Sequence, residues 1–348
     1  MDKNATYAAV SAKVHAMMGE FLTEEDYKNI LNLRTPSEIA TYLKERTSYK
    51  KAFEGINTYE LHRGQIEIVL KKHLIGYIDK LIHYFYGDIR NFIKCLYIKY
   101  EIFDLKNIAR NIHVEKNYDE VRESLVFVGK YRFIDVEKII KAKKVSELIE
   151  ALDGTIYYPY VKKLIDGNER ENLFRFEMSI DRAYFNILND SAKKLSKEDK
   201  NAFNEIYGSL ADLLNLKWIY RSKKFFNLTP EEIFNYTIDF GNKFNYEKIK
   251  GFCYTKDMDE FLSKARNTPY SFLFKGDPKQ DIYMERRINR FMFYKIKKIL
   301  YTRNLNLSLV LAFLELKEFE IFDIISMLEC VRYALSFDEA KTYLIRNI

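Results

Sequence analysis

At 348 residues, with 47% hydrophobic and 31% charged side chains, the chain has the makeup of a folded soluble protein and the length for two or three domains. Its 57 basic residues against 50 acidic ones leave a formal net charge of +7, which permits an acidic partner or a membrane surface without requiring either. Three cysteines far apart, Cys95, Cys253 and Cys330, exclude a disulfide framework and a paired-cysteine metal site, while only 12 Gly and 5 Pro argue for long helices and few tight turns.

Taken in chain order, almost every segment reads as amphipathic helix, and the predicted fold class is all-α. The opening MDKNATYAAVSAKVHAMMGEF lacks a signal-peptide core, so a cytoplasmic protein is expected. Thr35-Pro36-Ser37-Glu38 predicts a capping box, with Pro at the first helical position where its missing donor costs nothing. Residues 71–87 mix basic and aromatic side chains. EIFDLKNIAR begins at Glu101, followed by a polar join at 111–120. ESLVFVGKYRF at 123–133 has weak strand character around Gly129 and is equally compatible with a helix end and turn. DLLNLKWIYR begins at Asp212, and a second capping box, Thr229-Pro230-Glu231-Glu232, follows another join. A basic helix is predicted over 286–303. The apolar run Leu307 to Leu316 is interrupted by Ser308 and Glu315 and is far short of a membrane span. EIFDIISMLE begins at Glu320, and Ser336-Phe337-Asp338-Glu339 supplies a third box.

Two patterns recur with one period of about 110 residues. In the first, Glu101/Asp212, Asp104/Asn215, Leu105/Leu216, Lys106/Lys217, Ile108/Ile219 and Arg110/Arg221 coincide, and the third copy repeats EIFD at Glu320 to Asp323. In the second, residues 26–49 align without a gap on 135–158, matching Asp26/Asp135, Ile30/Ile139, Ser37/Ser146, Glu38/Glu147, Leu43/Leu152 and Tyr49/Tyr158. A third copy over 245–270 needs small insertions. A period of this size is that of a small domain rather than a solenoid unit. Three tandem helical repeats are predicted, over 1–118, 119–228 and 229–348.

Chemistry is sought and mostly not found. No GxxxxGK[ST] or GxGxxG phosphate cradle is present. None of His15, His62, His73, His83 and His113 lies three or four residues from another, so packing or surface roles are expected and neither a metal nor a cofactor is assigned. Glu101 and Asp104 share a helix face, as do Glu320 and Asp323, and paired carboxylates can do acid–base work. A catalytic pair has no need of near-copies in each repeat, whereas a fold position needing a polar anchor does. Glu101, Asp104, Arg110, Asp212, Asn215, Arg221, Glu320 and Asp323 are therefore read as repeat-defining structural residues, the acids capping a neighbouring helix or pairing with Arg110, Arg221 or another base. In the basic helix, Arg286, Arg287, Arg290, Lys295, Lys297, Lys298 and Arg303 interleave with Ile288, Phe291, Met292, Ile296 and Ile299. It reads as a solvated face over a core stripe, with acidic protein, phospholipid or nucleic acid as the functional alternatives.

The chain resembles the C-subunit family of V/A-type rotary ATPases, whose eukaryotic counterpart is the d subunit. YAAVSAKVHAMMGEFLTEEDY near the start, the central D-x-x-N-L-K-x-I-x-R with LTPEEI after it, and LELKEFEIFDIISMLE with the LSFDEAKTYL tail carry the likeness over essentially the whole length. The resemblance implies three similar helical domains about a pseudo-threefold axis, forming a funnel with a central cavity. It implies a non-catalytic rotor part, seated between the D and F subunits of the central stalk and the membrane ring of ion-carrying proteolipid subunits, transmitting torque for ion transport and peripheral to the membrane. The third copy departs from the pattern, with Ile325 and Glu329 where the first has Lys106 and Arg110. A helical nucleic-acid-binding or scaffold protein is the alternative on composition, and an enzyme using the paired acids a further one.

Overall fold

The computed structural model describes residues 3–114, 118–127, 129, 131–165, 169–226, 228–275, 283–302 and 304–348. Among these every regular element is helical, in agreement with the all-α expectation. Parts of both joins between repeats, and Arg303 of the basic helix, lie outside the described residues. The chain forms two compact units, Met1–Tyr77 with Ser196–Ile348, and Ile78–Leu195.

The smaller unit contains α5 (Gly87–Cys95), α6 (Ile98–His113), α7 (Tyr118–Glu123), α8 (Val136–Ile139), α9 (Val145–Ala151), α10 (Tyr158–Val161) and the long α11 (Glu169–Ala192). α5, α7, α9 and α11 all pack on α6. Ile102, Leu105, Ile108 and Ala109 recur at helical spacing and are buried, each of the larger ones contributing roughly 1.5–3 kcal/mol of apolar transfer. The stretch 123–133 shows no strand in its described part. After α7 it runs as irregular chain, and its backbone amides turn to side chains of α6 instead of to a sheet.

In the larger unit α1 (Lys3–Met18), α2 (Glu24–Leu31), α3 (Pro36–Arg46) and the first part of α4 (Arg63–Ile82) come from the N-terminal stretch. After Ser196 follow α12 (Lys197–Phe203), α13 (Ser209–Arg221), α14 (Pro230–Asn235), α15 (Tyr246–Cys253), α16 (Met258–Arg266), α17 (Met284–Ile299), α18 (Ser308–Arg332) and α19 (Phe337–Tyr343). α18 is the axle of this unit. Its 25 residues are buried nearly all round, which is why it carries apolar side chains without a clean amphipathic period. α1, α2, α3, α12 and α17 all pack on it. Even so, no helix among the described residues is long and apolar enough to cross a membrane.

Helix starts follow local sequence closely. The boxes at Thr229–Glu232 and Ser336–Glu339 are reciprocal, hydroxyl to amide and carboxylate to amide. Thr35 accepts from the Glu38 amide as predicted, but the Glu38 carboxylate reaches one residue further back, to Arg34 N–H at 2.8 Å. Lys143 N–H to Glu147 and Lys256 N–H to Glu260 repeat that bond in the other two copies, at 2.8 and 2.7 Å. Thr23–Asp26 forms a further reciprocal box, beyond the three expected from sequence.

Candidate functional site

The residues singled out by the repeat lie on α6, α13 and α18, and they perform one task three times. The first acid of each repeated pattern grips the chain ahead of a marker segment and a tyrosine at its end. Glu101 accepts from Phe133 N–H at 2.8 Å, Ile134 N–H at 3.2 Å and the Tyr157 hydroxyl. Asp212 accepts from Lys243 N–H at 2.7 Å, Phe244 N–H at 3.2 Å and Tyr270 hydroxyl at 2.8 Å. Glu320 accepts from Leu22 N–H at 2.7 Å and Tyr49 hydroxyl at 2.8 Å.

The second residue, one turn on, captures the chain just after the next short helix. Asp104 takes Val126 and Phe127 N–H at 2.8 and 2.7 Å, and Asp323 takes Ile345 and Arg346 N–H at 2.6 and 3.1 Å. Asn215 meets a single residue instead: its oxygen accepts from Ile238 N–H at 2.8 Å and its amide donates to Ile238 C=O at 3.0 Å. An amide fits there because the target offers one donor and one acceptor, whereas the carboxylates face two donors. All six side chains are buried.

The order of the contacts is informative. The helix of the first copy holds the marker of the second, and the helix of the second holds the marker of the third. The helix of the third, α18, holds the marker at the N-terminus. The long helices follow the same rule. Lys106 and Arg110 on α6 pair with Asp181 and Glu177 on α11 at 2.5 and 2.6 Å, and Lys217 on α13 approaches Glu285 on α17 at 3.7 Å. In the third copy the charges are exchanged, and Glu329 on α18 pairs with Arg63 on α4 at 2.9 Å. The substitution of Arg110 by Glu329 thus keeps an ion pair with reversed polarity.

A family model described as ATP synthase (C/AC39) subunit matches residues 10–343, nearly all of a chain built in this way. The chain belongs to the ATP synthase (C/AC39) subunit family. It is 26% identical over 292 residues to the C subunit of the A-type ATP synthase of Methanosarcina mazei, covering 83% of this chain and 78% of that one. To the C subunit from Methanosphaera stadtmanae it is 27% identical, over 76% of this chain and 66% of the other. To that from Methanocaldococcus jannaschii it is 21% identical over 98% and 86%.

In this family member two sequence expectations need correction. The acids do not pair with Arg110 or Arg221. Their oxygens are taken by backbone amides and tyrosine hydroxyls, joined at Glu320 by the Lys317 ammonium, while Arg110 reaches Glu177 and Arg221 is exposed. A neutral donor satisfies a buried carboxylate without bringing a second charge out of water, which is the smaller desolvation cost. The tyrosine equivalent to Tyr49 is Tyr157 rather than Tyr158, one residue off the ungapped alignment. The signal that would have found it is Thr-x-Tyr, at Thr47, Thr155 and Thr268. Each threonine hydroxyl donates to a carbonyl of the preceding helix and accepts from the tyrosine's own amide, which aims the ring inward. Tyr157→Phe is expected to cost about 1.5–3 kcal/mol in urea unfolding, the range for a bond to a charged group, while the half-buried Tyr158→Phe leaves stability unchanged.

Burial pushes the carboxyl groups of Glu101 and Asp212 above the usual range, against the opposing pull of their hydrogen-bond donors. For Asp323 burial dominates and carries it to about 6, with the Ile345 and Arg346 amides and Tyr27 pulling down and Glu320 pushing up. A folded-state pKa above the unfolded value near 3.9 means that the native form binds the extra proton between those values. The contribution of Asp323 is therefore fully present below about pH 4 and lost as pH rises through about 6. Asp323→Asn is expected to flatten that part of the stability profile, measured as urea midpoints from pH 4 to 7.

Among the described residues the histidines bring no ligand cluster together. His73 packs between Tyr49 and Tyr77 at ring distances of 5.3 and 5.1 Å, His15 and His83 are exposed, and the side chain of His113 lies outside the described residues. Among the described residues no group of three or more His, Cys, Asp or Glu is placed to hold a metal ion. Chemically, the six anchors hold loops. A carboxylate whose oxygens already accept two or three fixed donors, away from solvent, has no exposed lone pair with which to take a substrate proton.

Proposed function

We propose that this protein is the non-catalytic central-stalk C subunit of an A-type rotary ATP synthase, a socket that joins the D/F shaft to the membrane proteolipid ring and passes torque between them. The observation that carries the reading is the threefold recurrence, in a chain of this family, of one acid helix, one marker and one long helix. Such a chain supplies three similar walls, and a socket for a shaft needs walls rather than a reaction centre. We take the repeats as 1–118, 119–228 and 229–348, in a pseudo-threefold funnel, with Glu101, Asp104, Asp212, Asn215, Glu320 and Asp323 as the anchors that keep each wall stiff. Arg110 and Arg221 mark the same repeat position at the surface. The closure of the N-terminal marker onto α18 suits this role, because torque through a ring of walls meets no loose seam. The protein would sit on the cytoplasmic side, peripheral to the membrane through its contact with the ring, and would need no cofactor.

The test is purification of the tagged chain from mildly solubilised membranes of its own host, with mass spectrometry of what accompanies it. Stalk, catalytic-head and proteolipid subunits in fixed ratio are the expected result. A chain recovered alone, or with nucleic acid in a salt-sensitive complex, would overturn the reading.

A further inference from the structure

The basic helix α17 does more than present a solvated face. Ile288, Met292, Ile296 and Ile299 form the buried stripe anticipated from its sequence, but the side flanking that stripe is concave. A cleft of about 600 Å³ opens beside it, within the range of sites that take a few side chains of a ligand. Two rows of α17 at four-residue spacing line one wall: Arg290, Tyr294 and Lys298, and beside them Phe291, Lys295 and Ile299. Thr302, Asn304 and Ser308 continue it, and Glu205 stands as the one carboxylate against three cations.

Two of these cations are held in place. Arg290 donates to the Leu344 and Ile345 carbonyls at 2.7 and 3.2 Å, and Lys295 to Ser209 Oγ at 2.7 Å. Burial keeps the Lys295 ammonium below the ordinary lysine range, with Glu205 pulling the other way, so a second carboxylate arriving there would meet a poorly solvated cation. Lys298 is exposed at the mouth. Next in the chain to the lining residues Thr302 and Asn304, the apolar side chains of Tyr301 and Leu305 are 74% and 50% exposed.

We propose that this cleft is a docking site for an acidic, partly apolar segment of a partner protein. One or two of its carboxylates would enter between Lys295 and Lys298, and its apolar side chains would lie on Phe291, Tyr301 and Leu305. Charge complementarity chooses the class of occupant: among the described lining residues three cations, two of them held by hydrogen bonds, face one acid and leave an excess that an acidic segment neutralises. The recess chooses a polypeptide. A flat headgroup layer does not reach a half-buried lysine, and a nucleic-acid strand needs a track of exposed cations where this wall exposes Lys298. The proposal rests on the rotor reading only for where the partner is sought.

The test places the photo-crosslinking residue p-benzoylphenylalanine at Thr302, which is exposed and bonds only within its own turn. The full chain is expressed in its own host and irradiated in native membranes. The expected product is a cross-link to a partner peptide carrying at least two Asp or Glu, with its yield cut at least tenfold by Lys298→Glu. A missing cross-link, a cross-linked peptide without acids, a yield indifferent to Lys298→Glu, or attachment to lipid or nucleic acid each overturns it. Recovery of synthase subunits from the same sample is scored separately. An acidic cross-linked peptide without those subunits upholds the cleft and sinks the rotor reading, and the converse result does the reverse.

Discussion

Asp212→Ala is expected to lower the unfolding free energy by about 3 kcal/mol, the largest single loss among the anchors of α13. The substitution leaves Phe244 N–H buried with no acceptor, at about 1–3 kcal/mol, and strips the buried Tyr270 hydroxyl of its charged acceptor, leaving it Ser209, while Lys243 N–H at the exposed edge can turn to water. Relief of a carboxylate that burial already disfavours returns part of that loss. Asp212→Asn should recover little, because an amide turns its NH₂ toward a donor. Gly241 lies against the same site. A Cβ built there would stand 2.0 Å from Asp212 Oδ1 and 2.8 Å from Phe244 O, so Gly241→Ala must displace the anchor. The two substitutions are therefore expected to be non-additive, the double variant losing clearly less than the sum of the single ones in urea denaturation. Additive losses would show that Asp212 and Gly241 act independently.

Lys317→Met is expected to cost about 3–5 kcal/mol, the range for leaving one member of a buried ion pair uncompensated. Lys317 is 0% exposed. Its ammonium donates to Glu20 C=O at 2.6 Å and to Glu320 Oε1 at 2.8 Å. It also sits 4.5, 5.1 and 5.6 Å from the ring centres of Phe21, Tyr49 and Tyr77. This cage is absent from the other two copies of the pattern, where the residues at the matching positions are Ile98 and Ser209. It is placed where the N-terminal marker meets α18, the closure that no continuous chain supports. The deciding measurement is a double-mutant cycle. Glu320→Gln in the Lys317→Met background should restore part of the loss, since a neutral amide needs no counter-charge. If the double variant is less stable than Lys317→Met alone, the cost comes from packing rather than charge.

Capping boxes at Thr229 and Ser336 were legible in the sequence because a cap is a contact across three residues, and the chain itself holds the partners together. The recurrence of Glu101, Asp212 and Glu320 was readable because a buried polar position tolerates few substitutes, so three copies retained an acid. Counting copies was the ground for reading them as anchors, and the loops they hold fit that reading. Their partners were not readable. A carboxylate in a helix offers no local hint whether an arginine further along the helix or a backbone amide 32 residues on will satisfy it, and at Glu101 the choice fell to neutral donors with the smaller desolvation cost. Tyr157 was misplaced by one residue because its neighbour is also tyrosine, and only the direction set by Thr155 separates them.

By itself, then, the sequence determined the helical class, the period and the positions that must be polar, all properties carried by local spacing and by likeness between copies. The tertiary structure alone decided which copy's helix grips which copy's marker, the burial of Lys317 among three aromatic rings, and the hollow beside α17. Each of these depends on residues up to about 300 positions apart meeting in space. Contacts of that range leave no periodic trace in the chain, because their energy is set by what packing excludes from water and not by what stands next in line.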